Sequence, residues 1–116
     1  MVDRKSPKPG QSVRGSTTGR PLMAAMDLLG RRWALRILWE LRDGAHGARA
    51  LQNKCGGMSS SVLYERLREL TDTGLVAQNA DDAYGLTRMG RNLGTAVQPL
   101  DKCAKAWAAS QGRKKT

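Results

Sequence analysis

Apolar and polar positions along the chain repeat with two different periods. Five stretches carry an apolar residue every three to four positions, as amphipathic helices do. Two shorter runs, 75–78 and 83–86, are strand-like and flank a polar turn. The predicted helices cover residues 21–29, 31–42, 48–54, 59–73 and 88–110. The pattern therefore predicts a mainly α fold of about five helices with a small β-hairpin.

Residues with known end preferences mark the boundaries of these helices. Pro21 suits a first helical position because its missing N–H is not needed there. Ser59 is suited to cap the fourth helix, and Gly74 to end it in the left-handed conformation. Thr87 is suited to cap the last helix, which Pro99 should bend near its middle.

Two adjacent glycines, Gly56 and Gly57, separate the third and fourth helices. Glycine permits the positive φ values that a tight turn between helices requires. A short helix, a tight turn, a capped helix and a hairpin follow one another in the order of a winged helix-turn-helix. Residues 45–47 are expected to add a short edge strand, making the wing sheet two- or three-stranded. In such a unit the fourth helix lies across a DNA major groove.

The outward face and first turn of the fourth helix carry the candidate base contacts. Steps of about 100° per residue from an inward Leu63 place polar side chains on that face. Arg68 is suited to bidentate contact with guanine, and Glu65 to accept from cytosine. The DNA-binding candidates, with two phosphate contacts on the preceding helix, are Arg49, Lys54, Ser59, Ser60, Ser61, Tyr64, Glu65 and Arg68.

These candidates also have a plainer interpretation. Glu65 and Arg68 stand three positions apart, and on an isolated helix they would form only a solvated pair. Scattered basic residues such as Arg49 and Lys54 are usually just solvated. The glycine turn before the helix and the hairpin after it favour the interpretation as DNA contacts.

Positive charge is concentrated at the two ends of the chain. The net charge is +10, yet the segment from Pro21 to Ser110 holds twelve Lys or Arg against nine Asp or Glu. Basic tails attract polyanions without sequence preference and in a salt-dependent manner. We expect residues 1–19 to be a disordered basic arm, because they are too polar to offset ordering entropy. One domain over 20–110 and a basic tail over 111–116 complete the expected organisation.

No cluster suited to catalysis or metal binding is visible in the sequence. The single histidine is His46, and Cys55 and Cys103 lack the spacing of a zinc site or disulfide framework. We interpret both cysteines as reduced thiols. No apolar run approaches the ~20 residues that span a bilayer. We therefore expect a cytoplasmic protein without a cofactor and without membrane contact.

Three segments carry a family resemblance: AMDLLGRRWALRILWEL, SSSVLYERLRELTDTGLV and YGLTRMGRNL. By their order and spacing, residues 20–107 resemble the HxlR-type family of bacterial winged-helix transcription regulators. The resemblance implies a homodimer through the first and last helices, with half-sites about 34 Å apart. The residues that suit this interface are Leu22, Met26, Leu93, Val97, Leu100 and Trp107. Burial in the chain's own core is the alternative for these side chains.

Several positions depart from the pattern of that family. Arg20 stands where members commonly have a cysteine, so a redox switch of that kind is not expected. Ala48 and Arg49 replace an aromatic residue and a serine cap, so the third helix should be less firmly anchored. Asp81 and Asp82 occupy the tip of a short wing and would repel phosphate.

The N-terminal arm is unusually basic for the family. Arg4, Lys5, Lys8 and Arg14 are expected to supply phosphate attraction that the acidic wing lacks, by tracking a groove. A solubilising tail is an equally supported alternative.

A small-molecule effector is a further expectation from the resemblance, because some members respond to small aromatic or aldehyde ligands. Trp33, Trp39 and Trp107 are candidates to line a pocket, although aromatic residues on helical faces more often belong to a core.

Together these features predict a sequence-specific regulator of transcription that binds double-stranded DNA as a homodimer. Repression by occlusion is favoured over activation. Two other classes remain open. One is a sequence-tolerant architectural nucleic-acid binder that uses the basic tails, and the other is a winged-helix module that binds a protein. An enzyme is the least favoured, since it requires an acid, base or nucleophile cluster.

Overall fold

The computed structural model describes residues 6–113 and, within that range, five helices and a two-stranded antiparallel sheet. The remaining parts of the predicted basic arm and tail, 1–5 and 114–116, lie outside the described residues. The elements are α1 Pro21–Leu29, α2 Ala34–Glu40, α3 Ala48–Cys55, α4 Ser60–Asp72, β1 Val76–Gln78, β2 Tyr84–Leu86 and α5 Arg88–Arg113. This order confirms the predicted winged helix-turn-helix.

The second helix begins later than its apolar pattern indicated. It was predicted from Arg31, but α2 starts at Ala34 and residues 31–33 form a turn. The N–H of Arg31 bonds to the carbonyl of Leu28 at 3.2 Å, closing the end of α1. Trp33 then takes a left-handed conformation with φ +77°. A bulky residue adopts positive φ only when surrounding contacts hold it there.

The core lies where α1, α2, α3, α4 and β1 meet. The leucines predicted to line α4, namely Leu63, Leu67 and Leu70, are each at most 1% exposed. Ile37 of α2 and Leu51 of α3 are fully buried against them. Burial of each such side chain stabilises the fold by about 1.5–3 kcal/mol. The core thus fixes the inward side of α4 and leaves its other side available.

The turn between α3 and α4 has the geometry expected from its glycines. Gly56 and Gly57 have φ of +62° and +74°, which few other residues adopt at low cost. Met58 is buried at 5% exposure and pins the turn to the core. The amide Nε2 of Gln52 donates to the Met58 carbonyl at 3.0 Å. The Ser59 hydroxyl accepts the Val62 N–H at 3.3 Å, so the predicted N-cap is confirmed.

The wing is a short hairpin joined to a single bridge residue. β1 and β2 pair antiparallel, with Val76 opposite Leu86 and Gln78 opposite Tyr84. His46 pairs with the outer side of Tyr84 through two backbone hydrogen bonds of 2.9 and 2.7 Å. The edge strand predicted at 45–47 is therefore present as one bridge.

The last helix is held tightly against the base of the wing. Thr87 caps it, accepting the Gly90 N–H at 3.0 Å as predicted. A Cβ at Gly90 would overlap the carbonyl oxygen of Leu75, so this position requires glycine. Among the helices of residues 6–113, none combines the length and apolarity needed to cross a bilayer.

Candidate DNA-binding site

The outer face of α4 is polar and open to solvent. Tyr64 is 54% exposed, Arg68 is exposed, and Glu65 is half-buried beside Arg66, whose Nη1 lies 3.9 Å from the Glu65 carboxylate. Ser60 and Ser61 are also exposed. The structure thus gathers the recognition-helix candidates on one surface.

Three consecutive serines crowd the start of this helix. The Oγ atoms of Ser59 and Ser61 lie 3.3 Å apart, and Gln52 Nε2 lies 3.4 Å from the Ser60 Oγ. The unpaired backbone N–H groups and the helix dipole at this end favour a phosphate oxygen. The Ser59 oxygen already serves as the helix cap, so its first role is structural.

The two phosphate candidates lie exposed on α3, the helix before the turn. Arg49 is in its first turn and Lys54 in its last. α3 follows Gly47, which has no side chain to cap it, in agreement with the weaker anchoring expected there. Its C-terminal end is braced instead by Arg36 of α2, whose Nη2 donates to the Lys54 carbonyl at 2.8 Å. This contact of Arg36 was not predictable from the sequence pattern.

A cleft of about 470 Å³ separates α4 from the wing. Tyr64 and Arg68 line its α4 side, and Gln78 and Tyr84 line its wing side. Burial raises the pKa of the Tyr84 phenol, and nearby Tyr64 and Asp82 raise it further. The phenol therefore stays protonated at neutral pH and can donate to a phosphate or a base. Gln78 and Tyr84 were missed because strand alternation alone does not show that these side chains face α4.

The tip of the wing is a hydrogen-bonded, acidic turn. The Asn79 side chain accepts the N–H groups of Asp81 and Ala83 at 2.8 and 3.0 Å, which closes the turn. Asp82 has φ +63°, a conformation that Asp and Asn tolerate better than most residues. Both aspartates are exposed, so the wing presents negative charge where a basic wing would meet phosphate.

The described part of the basic arm, residues 6–19, lies against the domain. The Arg14 N–H donates to Asp27 Oδ2 of α1 at 3.0 Å. Lys8 Nζ lies 3.5 Å from Asp72 Oδ1 at the end of α4. These contacts place the arm beside the recognition helix. Disorder of the unbound arm remains a prediction.

The apolar residues assigned to a dimer interface divide into two groups. Leu22 and Met26 of α1 are 60% and 57% exposed, and Leu100 and Trp107 of α5 are 56% and 69% exposed. Leu93 is half-buried and packs against the core, and Val97 is also half-buried. Within one chain, the core therefore covers Leu93 and leaves the first four largely uncovered.

A cavity of about 230 Å³ opens between α2, α5 and the end of β2. Its lining is mostly apolar and includes Trp39, with Arg42 and Arg91 as charged members. The Arg42 guanidinium stacks 3.8 Å from the centre of the Trp39 ring. Of the three tryptophans considered for a pocket, only this one lines the cavity; Trp33 packs on the core and Trp107 is exposed. Within residues 6–113, no group of His, Cys, Asp or Glu is arranged to hold a metal ion.

The two cysteines lie in different environments. Cys55 is buried at the end of α3, and Cys103 is exposed on α5. Burial raises the pKa of the Cys55 thiol, the nearby Arg36 lowers it, and Glu40 raises it. The net effect is a thiol that stays protonated at neutral pH, which disfavours reaction with oxidants.

Comparison with known proteins identifies the family. A family model described as HxlR-like helix-turn-helix matches residues 28–112, which include the glycine turn, α4, the wing and α5. The chain belongs to this family. The resemblance drawn from the three sequence segments is thereby confirmed.

The curated relatives of this HxlR-like protein are helix-turn-helix regulators. The HTH-type transcriptional regulator YodB of Bacillus subtilis is 30% identical over 100 residues, covering 81% of this chain and 86% of YodB. The uncharacterized HTH-type transcriptional regulator YvaP of the same organism is 29% identical over 89 residues, covering 72% and 82%. The protein is accordingly a DNA-binding transcription regulator, and its named relatives are not enzymes.

Solved structures of the family share its fold. The quinone-bound YodB of B. subtilis matches with a TM-score of 0.63 at 30% identity, covering 77% of this chain and 94% of that one. A possible HxlR family transcriptional factor from Thermoplasma volcanium matches with a TM-score of 0.66 at 26% identity, covering 73% and 82%. The winged-helix architecture is thus common to all three.

Proposed function

We propose that this HxlR-like regulator binds a pseudo-palindromic operator as a homodimer and represses transcription by occluding the promoter. The observation that carries the proposal is α4, a capped helix with a leucine stripe seated in the core and a polar face turned to solvent. Tyr64, Arg68 and the serines of its first turn would meet base edges, because the N-terminal part of a recognition helix does so. Polar side chains that line the cleft between α4 and the wing would contact the neighbouring DNA backbone.

The exposed apolar side chains of α1 and α5 support the dimer. Leu22, Met26, Leu100 and Trp107 expose more than half of their surface, which large apolar residues seldom do in such numbers on two helices. A second copy that covers them would remove this surface from water. Two recognition helices related by a two-fold axis then match two half-sites about 34 Å apart.

Selection of bound fragments from the source genome tests sequence specificity. A regulator should retain a footprint on one site in excess random duplex, whereas an architectural binder should lose it. Transcription of the gene next to the selected site, measured with and without the protein, then tests repression. Loss of the footprint would contradict the proposed function.

Arg68→Ala tests the recognition helix. The variant should weaken operator binding by about 1–3 kcal/mol and relax the preference at one base pair. Lys105→Ala is the control, since Lys105 is an exposed residue of α5 that pairs only with Asp101 among the described residues. An unchanged affinity of Arg68→Ala for every DNA would favour the protein-interaction module instead.

We further propose that the cavity beside Trp39 holds a small, mainly apolar effector without a covalent bond. The quinone-bound YodB structure shows that a relative binds a quinone, a small cyclic compound. Here Arg20 stands where family members commonly have a cysteine, so a noncovalent site is the arrangement that this chain offers. Gly94 lines the cavity, and a Cβ there would meet nothing within 4 Å.

Gly94→Leu should fill that cavity, with Gly94→Ala as the matched control. Hydroquinone and benzoate are suitable non-electrophilic probes. We expect a probe to raise the melting temperature of the wild type and of Gly94→Ala but not of Gly94→Leu. No shift for any protein, with intact operator binding, would contradict an aromatic effector and leave the DNA-binding proposal standing.

A further inference from the structure

The recognition helix contains a buried carboxylate that its leucine pattern did not reveal. Glu69 is 3% exposed, although it lies between the leucines Leu67 and Leu70 on α4. Burying an ionised carboxylate costs several kcal/mol unless it is paired and hydrogen-bonded. Its surroundings must therefore supply cations at defined positions.

Two arginines supply those cations. Glu69 Oε2 accepts from Arg31 Nη1 at 2.5 Å, and Glu69 Oε1 accepts from Arg66 Nη1 at 2.9 Å. Arg66 Nε also donates to the Arg32 carbonyl at 2.8 Å. The middle of α4 is therefore bound at two points to the turn 31–33, the same turn that holds Trp33 at positive φ.

The contacts continue from this turn to α1 and the N-terminal arm. Arg31 Nε lies 3.6 Å from Asp27 Oδ1, an ionic contact too long for a hydrogen bond. This Nε is buried and has no hydrogen-bond partner among the described residues. The other oxygen of Asp27 accepts the Arg14 N–H of the arm. A continuous chain of polar contacts thus joins the arm, α1, the turn and the recognition helix.

Buried ion pairs of this kind contribute more to the relative orientation of the elements they join than to the stability of the fold. A well-packed apolar cluster of similar volume would often stabilise a fold as much or more. Charge-assisted hydrogen bonds from planar guanidinium groups, in contrast, hold two elements at a fixed angle. The pairs here fix α4 relative to α1, whose exposed Leu22 and Met26 are the proposed dimer contacts.

We infer that Glu69 is a positioning residue that sets the separation of the two recognition helices, through Arg31 and Asp27. The inference rests on the proposed homodimer through α1. A change in the angle between α1 and α4 is repeated in both subunits, so it alters the spacing of half-sites that the dimer accepts. Glu69 itself is buried and does not touch DNA.

Glu69→Gln tests this role, with Glu40→Gln as the matched control. Glu40 is also paired with an arginine, because its carboxylate accepts from Arg36 Nε at 2.8 Å, but it lies on α2 outside the chain of contacts. The DNA probes are the operator selected by the wild type and versions with one or two base pairs inserted or deleted between the half-sites. The ratio of affinities for native and altered spacing is the measurement.

We expect Glu69→Gln to lower that ratio by about tenfold, a typical size for coupling between two sites. Glu40→Gln should retain the wild-type ratio. A merely structural role would weaken binding to all spacings equally, with the ratio unchanged. Circular dichroism and melting temperature establish that each variant is folded.

Asp27→Ala is the second variant, in case the loss of Glu69 prevents folding. This substitution removes the contacts at α1 and leaves the buried carboxylate of Glu69 paired. We expect a smaller fall in the ratio and faster trypsin cleavage after Arg14. Wild-type spacing preference in folded Asp27→Ala, and in Glu69→Gln if it folds, would overturn the inference. If the wild type selects no paired half-sites, the proposed homodimeric regulator fails first, and this role fails with it.

Discussion

At the scale of single residues, the chemistry of the two thiols is the clearest consequence of burial. Cys55 sits in the core and Cys103 on the surface of α5. In a Cys103→Ser variant we expect Cys55 to react with a thiol reagent only as fast as the chain unfolds, because a buried protonated thiol is a poor nucleophile. Labelling kinetics in native buffer and in denaturant measure this. Rapid labelling of the folded variant would contradict it.

The raised pKa of Cys55 also gives a direction for stability against pH. The folded state holds the thiol proton more tightly than the unfolded chain does. The resulting stabilisation is fully present below the ordinary thiol pKa and is lost as pH rises through the raised value. Denaturant midpoints of Cys103→Ser, measured from neutral to alkaline pH, should show a decline that is smaller when Cys55 is also replaced by Ala and that begins there only at the higher pH where Tyr84 titrates.

Residue periodicity predicted which side of α4 faces the core but not what its charged residues do. The stripe of Leu63, Leu67 and Leu70 follows from helical spacing alone. Glu69 lies at the edge of that stripe, and its partner Arg31 is 38 positions earlier in the chain. A periodic pattern gives no information about a partner at that separation, so the buried ion pair with Arg31 was not predictable from it.

At the scale of elements, the wing should limit affinity for DNA. Asp82→Asn removes one negative charge from its tip, and Asn tolerates the positive φ found there. We expect this variant to bind operator more tightly at low salt, by a few tenths to about 1 kcal/mol, because repulsion from phosphate is relieved. Titrations over a range of salt concentrations measure the gain. Equal or weaker binding would show that the tip lies away from the DNA backbone.

Element boundaries were predictable where a residue type decides them. Ser59, Gly74 and Thr87 occupy the roles that their residue types indicated. The start of α2 was not, because the apolar pattern continues through Trp33 without a break. The reversal at 31–33 is imposed by contacts of the turn with α4, which are tertiary and leave no local signal.

At the scale of the whole molecule, the exposed apolar side chains of α5, Leu100 and Trp107, should determine the oligomeric state. Leu100→Glu places a charge among these side chains and should convert the proposed dimer to a monomer, because burying an unpaired carboxylate is costly. Lys102→Glu is the control, since Lys102 lies about 200° around the helix from Leu100. Light scattering coupled to size-exclusion chromatography measures the mass. A dimeric Leu100→Glu would place the interface elsewhere.

The contact at Gly90 restricts how the protein can adapt to bent or irregular DNA. No side chain fits between the start of α5 and the carbonyl of Leu75, so the base of the hairpin is packed directly against α5. In the proposed dimer, we expect a groove that is wider or narrower than average to be met by rotation of a whole subunit, with the wing and the start of α5 moving together. Shape selectivity in the operator is thus expected to fall on the base pairs between the half-sites, where such a rotation bends the duplex.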